Sequence, residues 1–143
     1  MKRQAFSLIS LLSLLLMAGS AIAQTIHVRA NVPFNFSVGT KTLPAGAYDI
    51  KTISSDTTTL LVQARDGKSS MIVGSDAAEA LKGAEKTKLV FNRYGSQYFL
   101  AEIWVGGATM GHQLPKTSRE KELAREVASD LTQRRVEVVA SLY

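Results

Sequence analysis

The chain has 143 residues, of which 45% are apolar, and its 17 basic and 12 acidic residues give a net charge of +5. The length is typical of one domain, and the apolar fraction is that of a globular protein rather than a disordered one. Cysteine is absent from the sequence, which excludes disulfides, thiol catalysis and thiolate metal sites. Core packing and backbone hydrogen bonds must therefore hold the fold.

Residues 1–23 have the pattern of a secretory signal peptide. Lys2 and Arg3 give it a basic start, and residues 5–18 form an uncharged, mostly apolar stretch. Ala21-Ile22-Ala23 then places small residues where a signal peptidase requires them. The apolar stretch is shorter than the about 20 residues that span a bilayer, so the pattern favours cleavage over membrane anchoring.

We therefore expect cleavage between Ala23 and Gln24, followed by export to the periplasm or the extracellular space. Removal of two basic residues and no acidic ones leaves a mature chain of 120 residues with a net charge of +3. A chain of this size buries roughly two-thirds of its unfolded surface. We expect residues 24–143 to form a single β-rich domain without a membrane span.

Alternation of apolar and polar residues dominates the mature chain. Val32, Phe34, Phe36 and Val38 would share one face of a half-buried strand. Pro33 has no N–H group to donate to a ladder, which places a sheet edge or a strand start there, and a separate strand can precede it. Further strands are predicted up to about residue 114.

Two glycine-containing pairs predict hairpins. Asp66-Gly67 is typical of a two-residue type I′ turn, and the resulting register sets Val62 opposite Met71 and Leu60 opposite Val73. Gly95-Ser96 has the glycine first, as a type II′ turn requires. That second register is expected to pair Phe91 with Leu100, Arg93 with Tyr98, and Leu89 with Glu102.

Two segments have helix signals. Asp76 and Glu79 have the spacing of a capping box, which predicts one or two helical turns within residues 75–83. Thr117 and Glu120 have the same spacing before a narrow apolar stripe, which predicts a helix over about 118–132. Residues 136–142 alternate again and predict a final strand. The expected fold is mainly β: a small antiparallel sandwich or partly closed barrel of 7–9 short strands, with one C-terminal helix packed on it.

Three segments carry a resemblance to known proteins. They read V-P-F-N-F-S-V-G at residues 32–39, L-P-A-G-A-Y at residues 43–48, and R-Y-G-S-Q-Y-F-L-A-E at residues 93–102. Together they resemble a group of small exported bacterial proteins of unknown function. The resemblance implies export and a single β-rich domain, and it implies no activity, cofactor or site.

Glu102 is the charge that most needs an explanation, because both faces of its predicted strand are largely apolar. A carboxylate there requires a partner or a route to water, and the predicted register brings Lys88 and Arg93 nearest. Glu102 is either a functional acid in a pocket with Tyr98 and Trp104, or a member of a structural ion pair. Arg93 is also expected to form a cation–π pair with Tyr98. Arg93, Tyr98, Glu102 and Trp104 are thus the candidate residues for ligand binding or interaction.

Other residues give weaker chemical signals. His27 and His112 lie far apart in sequence, and neither forms a local ligand pair, so we expect no metal site even with Glu102 nearby. Ser118 and Lys121 have the S-x-x-K spacing of some acyl-transfer enzymes, but the companion motifs are missing. We interpret this segment as a solvated helical turn, and we expect no catalytic residue and no cofactor.

Three functions follow from these observations. The leading hypothesis is an exported, non-catalytic envelope or extracellular module that binds an envelope protein or polymer through its surface. The second is a carrier of a small apolar ligand inside a barrel. The third is a hydrolase that uses Glu102 or Ser118. Nucleic-acid binding is not expected, because export removes access and no aromatic–basic motif is present.

Overall fold

The computed structural model describes residues 25–128 and 134–143. Within them, eleven strands and one helix follow one another along the chain. They are β1 (His27–Val32), β2 (Phe36–Val38), β3 (Lys41–Leu43), β4 (Gly46–Thr52), β5 (Thr59–Ala64), β6 (Ser70–Gly74), β7 (Asp76–Glu79), β8 (Lys88–Tyr94), β9 (Gln97–Trp104), β10 (Met110–Gln113), α1 (Ser118–Val127) and β11 (Arg134–Leu142).

Nine of these strands form one continuous sheet in the order β3-β2-β9-β8-β11-β1-β4-β5-β6. The sheet curves into a nearly closed barrel. β10 pairs with β9, and β7 pairs with β10 beside this path. The pairing is antiparallel except between β2 and β9, which run parallel where Ser37 pairs with Phe99. The predicted mainly β fold, a partly closed barrel with one C-terminal helix, is therefore confirmed.

The barrel interior is filled by side chains that alternate along the strands. Tyr48, Phe36 and Phe91 are the largest of those with less than 2% of their surface exposed. The Phe36 ring meets the rings of Tyr48 and Phe91 edge to face, with centroids 5.0 and 5.4 Å apart. Such contacts add to the stabilisation from buried area. Aromatic side chains thus fill the space in which the carrier hypothesis would place its ligand.

The predicted strand around Pro33 is divided into β1 and β2. Pro33, Phe34 and Asn35 separate the two strands, because proline cannot continue the ladder. Asn35 instead accepts a hydrogen bond from the Ala45 N–H across 3.0 Å. Phe34 stays against the core, with its ring centroid 5.0 Å from that of Phe91.

The β5–β6 hairpin has the predicted register, with Val62 opposite Met71 and Leu60 opposite Val73. The predicted type I′ turn is wrong, because Thr57 is the only described non-glycine residue with a positive φ. The loop is longer than two residues. It closes through the Gly67 N–H, which donates to the Ala64 carbonyl. The Asp66 carboxylate accepts from the Lys68 N–H across 2.8 Å, an Asx-type turn that leaves Asp66 in ordinary backbone geometry.

The predicted helix within residues 75–83 is wrong. Asp76–Glu79 form β7, which pairs antiparallel with β10, and Asp76 lies opposite Gln113. The β10 strand supplies hydrogen-bond partners that local propensity does not anticipate.

The helix α1 begins as predicted, with Thr117 as its N-cap. The Thr117 hydroxyl accepts a hydrogen bond from the Glu120 N–H across 3.2 Å. Leu123 packs against Tyr94 and Phe99 on the outer face of β8 and β9. The predicted end of the helix near residue 132 lies outside the described residues. β11 begins two residues earlier than predicted, at Arg134.

Candidate functional site

A β-bulge decides which way Glu102 points. Near the Gly95 turn, φ is +61° at the glycine and the predicted pairs are present, including Phe91 with Leu100. The register then shifts, so that Val90 rather than the predicted Leu89 lies opposite Glu102. Because paired residues share a face and Phe91 lies in the core, Val90 and Glu102 lie on the outer face. The bulge thereby keeps a carboxylate out of the apolar interior.

Glu102 has two partners on this outer face. Its Oε2 accepts a hydrogen bond from Trp104 Nε1 and forms a salt bridge with Arg135 Nη2, each across 2.7 Å. The Glu102 side chain retains 16% of its exposure, whereas that of Arg135 retains 57%. Hydrogen bonds to an ionised group are shorter and stronger than neutral ones, so Glu102 is fixed in one orientation while the guanidinium remains accessible.

The predicted cation partners of Glu102 are wrong. Lys88 bonds to Glu137 across 2.6 Å, and this ion pair holds the pKa of Glu137 below its usual value. Arg93 donates from Nε to the Gly95 carbonyl across 2.7 Å. Lys88 and Glu102 both have their ion-pair partners on β11. The register predicted from the β8–β9 hairpin alone does not include that strand.

Arg93 and Tyr98 form the predicted cation–π contact, with the guanidinium carbon 5.4 Å from the ring centroid. The Tyr98 ring stacks on Phe34, with centroids 3.8 Å apart. This pair lies on the core side of the hairpin, next to Phe91 and near the turn. The structure therefore divides the four candidates into two groups on opposite faces: Arg93 with Tyr98, and Glu102 with Trp104.

A groove of about 510 Å³ opens beside Glu102. Its floor contains Asp76, Gln113 and Glu102, which are register partners on β7, β10 and β9 and so lie side by side. We call this cavity the Glu102 groove. Its remaining lining residues are Asn92, Ala101, Leu114, Pro115, Lys116, Lys121 and Arg135.

The Glu102 groove has an excess of positive charge. It is lined by three cations, Lys116, Lys121 and Arg135, and by two carboxylates. Arg135 already neutralises Glu102. Lys116 and Lys121 take part in no ion pair with another described residue. The two lysines are therefore available to an anionic group that enters the groove.

A buried carboxylate fixes α1 beside the groove. Glu120 is 5% exposed, and its Oε1 accepts from Asn92 Nδ2 across 2.9 Å and from the Tyr94 hydroxyl across 3.0 Å. Burial, together with this hydrogen bond, raises the pKa of Tyr94. From the sequence, Glu120 is predicted only as a capping residue, without these two partners. The signal was Asn92 itself, a polar residue within an apolar strand.

The weaker sequence candidates lie elsewhere. Ser118 is exposed at the start of α1 and is not part of the groove lining. His27 packs edge to face on Tyr143, with centroids 5.3 Å apart, whereas His112 lies 3.0 Å from the Ser75 hydroxyl. In residues 25–128 and 134–143, no group of three or more potential ligands is arranged to hold a metal ion.

Ser75 and His112 form a buried pair that the sequence does not predict. They line a cavity of about 60 Å³, small beside the roughly 150 Å³ of a cavity that admits benzene. The Ser75 hydroxyl lies within hydrogen-bond distance of both the Thr58 carbonyl and His112 Nδ1, each across 3.0 Å.

The described part of the chain contains no helix with the length and hydropathy that a bilayer crossing requires. Compared with known proteins, the chain matches no family model, no curated protein and no solved structure.

Proposed function

We propose that this protein is an exported, non-catalytic module of the cell envelope or extracellular space that binds an anionic polymer through the Glu102 groove. The observation that carries the proposal is the pair of lysines, Lys116 and Lys121, on a groove whose principal carboxylate is already neutralised by Arg135. The net positive charge of the chain favours the same class of partner.

An acidic polysaccharide carries groups that suit both the lysines and the acceptor oxygens of the Glu102 groove. Its carboxylates would meet Lys116 and Lys121 at the rim. Its hydroxyl groups would donate to the floor, where Asp76, Gln113 and Glu102 offer acceptor oxygens.

Export is supported by the pattern of residues 1–23 and by the resemblance of three segments to exported bacterial proteins. An acidic polymer is accessible to a protein outside the cytoplasm. The expected location of the protein and its positive charge therefore both favour an acidic polymer as the partner.

The two alternative functions are less well supported. A carrier needs an internal cavity, whereas Phe36, Tyr48 and Phe91 fill the barrel. In the hydrolase alternative, one oxygen of Glu102 is already held by Trp104 and Arg135, and Ser118 lies outside the groove lining. Binding at the groove requires no empty barrel interior.

Affinity electrophoresis tests the proposal with defined polymers. We expect polygalacturonate in the gel to retard the native protein and neutral dextran to leave its mobility unchanged. Added salt should weaken the retardation, because exposed charges are screened. Retardation that is equal in both gels, or absent from both, would contradict an anionic polymer as the ligand.

Matched variants locate the binding surface. Replacing Lys116 and Lys121 together by glutamine should abolish most of the retardation in polygalacturonate. The control replaces Lys51 and Lys82 together by glutamine, which removes two exposed lysines outside the groove lining. If the control lowers retardation as much as the double variant, binding depends on total charge and not on the groove.

A further inference from the structure

The outer face of β11 leads from the Glu102 groove to a second basic groove. Along this strand, the apolar side chains of Val136, Val138 and Ala140 pack against the core. Successive residues of a strand point to opposite faces, so their neighbours lie on the outer face. These are Arg135, Glu137, Val139 and Ser141. Arg135 lines the Glu102 groove, and Ser141 lies further along the strand, about 20 Å away at the usual rise per residue.

The second groove opens at the Ser141 end of this face and has a volume of about 330 Å³. The pairing of β1 with β11 ends there, with Ala30 opposite Ala140. The polar residues that line the groove are Arg29, Asn31, Arg65 and Ser141. No carboxylate of the described residues belongs to this lining. We call this cavity the Arg65 groove, and its guanidinium groups give it a positive charge.

Arg29 is held in the Arg65 groove by two neighbours. Its Nε donates to Asp49 Oδ1 across 2.8 Å, and its guanidinium carbon lies 3.6 Å from the centroid of the Tyr143 ring. Stacking on aromatic rings is typical of the planar guanidinium. Asp49 bonds to Nε, whereas the terminal nitrogens of the guanidinium carry further N–H groups. Arg29 therefore contributes a positive group of fixed orientation that has donors for an anion.

The ion pairs of the described residues all lie along this face of the sheet. They join Glu102 with Arg135, Glu137 with Lys88, and Asp49 with Arg29. By contrast, Arg65 is exposed and takes part in no ion pair with another described residue. The face thus has balanced charges along its length and excess positive charge at its two ends, from Arg65 in one groove and from Lys116 and Lys121 in the other.

We infer that an acidic polysaccharide bound in the Glu102 groove continues along the outer face of β11 and places a second carboxylate in the Arg65 groove. The inference rests on the proposed function, and it adds a second point of attachment and a minimum length of the ligand. Arg29 and Arg65 suit this carboxylate because a guanidinium can donate two parallel hydrogen bonds to it. Two linked contacts bind one chain more tightly than either contact alone.

Competition between ligands of different length tests the second groove. Digalacturonate is too short to reach both grooves, whereas a long oligogalacturonate can. At equal concentration of uronate groups, the long oligomer should release the native protein from a polygalacturonate gel at a concentration at least about tenfold lower than digalacturonate. In Arg65→Gln this difference should largely disappear. The control is Lys82→Gln, which removes one exposed positive charge outside both groove linings and should keep the difference.

The outcomes separate this inference from the proposed function. If replacing Lys116 and Lys121 abolishes retardation while Arg65→Gln keeps the native dependence on length, the second groove is wrong and the proposed function stands. Equal release of the native protein by both ligands would also overturn the second groove. A native protein that polygalacturonate does not retard would overturn the proposed function and this inference with it. Because Arg65 is exposed, Arg65→Gln should fold, and circular dichroism checks this.

Discussion

Trp104 donates its indole N–H to Glu102, two residues earlier on the same strand, across 2.7 Å. The two side chains meet because alternate residues of a strand share a face, and the bulge turns this part of β9 outward. The hydrogen bond orients the carboxylate towards Arg135. One local irregularity thus positions the groove's principal acidic group.

Removing the indole donor tests this arrangement. We expect Trp104→Phe to lower the free energy of unfolding by about 1–3 kcal/mol, since it removes a hydrogen bond to a charged group and some packing. Urea unfolding measures the change. It is followed by circular dichroism rather than by tryptophan fluorescence, because Trp104 is the only tryptophan. The control is Tyr98→Phe, which keeps the stack on Phe34. If both variants lose equal stability, the Trp104 N–H has no special role.

Two substitutions of the buried Glu120 should differ in how far they lower the free energy of unfolding. Glu120→Ala would leave the Asn92 amide and the Tyr94 hydroxyl buried without their acceptor, at a cost of about 2–4 kcal/mol. Glu120→Gln keeps an acceptor oxygen and should cost clearly less. Urea unfolding of the two variants side by side provides the comparison. Equal losses would show that these hydrogen bonds do not hold α1 on β8.

The raised pKa of Tyr94 predicts sensitivity to alkaline conditions. Because burial and Glu120 favour the neutral phenol in the folded state, the stability it contributes is complete below the unfolded pKa of about 10. It is lost as pH rises from that value through the folded one. The stability of the native chain should therefore fall more steeply above pH ~10 than that of Tyr94→Phe. Urea unfolding at several pH values measures the free energy of unfolding of both proteins. If this free energy falls equally with pH in the native chain and in Tyr94→Phe, the prediction is wrong.

Gly111 faces the ring of Trp104 and has no room for a side chain. A Cβ atom there would lie 2.7 Å from the ring and 2.9 Å from the Ile103 carbonyl. Gly111→Ala should therefore cost about 1–3 kcal/mol in urea unfolding. Gly74→Ala is the matched control, since a Cβ atom at that position would have open space within 4 Å. The prediction fails if the two alanine variants are equally stable.

Export predicts a defined mature N-terminus. Expressed in a bacterial host with its leader, the protein should accumulate outside the cytoplasm with Gln24 as its first residue. Intact mass spectrometry of the fractionated protein measures this. Ala23→Arg should block cleavage and leave the longer chain, whereas Ala18→Ser, outside the cleavage motif, should not. A native chain that keeps residues 1–23 would contradict the predicted cleavage.

Local sequence determined the features that depend on neighbouring residues. The turn at Gly95 fixed the pairs nearest to it, including Arg93 with Tyr98, because hairpin register is set by the turn. Thr117 fixed the start of α1 through a hydrogen bond three residues along the chain. Apolar alternation likewise gave the mainly β architecture. Each of these needs only contacts between residues close in sequence.

Tertiary structure decided which residues distant in sequence meet Glu102. The bulge brought Val90 opposite it, and β11 supplied Arg135 from 33 positions further along the chain. Residues 76–79 form a strand because they pair with β10, and this pairing places Asp76 on the groove floor. These contacts join segments distant in sequence, whose pairing depends on how the whole sheet closes. The amino-acid pattern thus specified strands and turns, while the closure of the sheet selected which polar groups share a face.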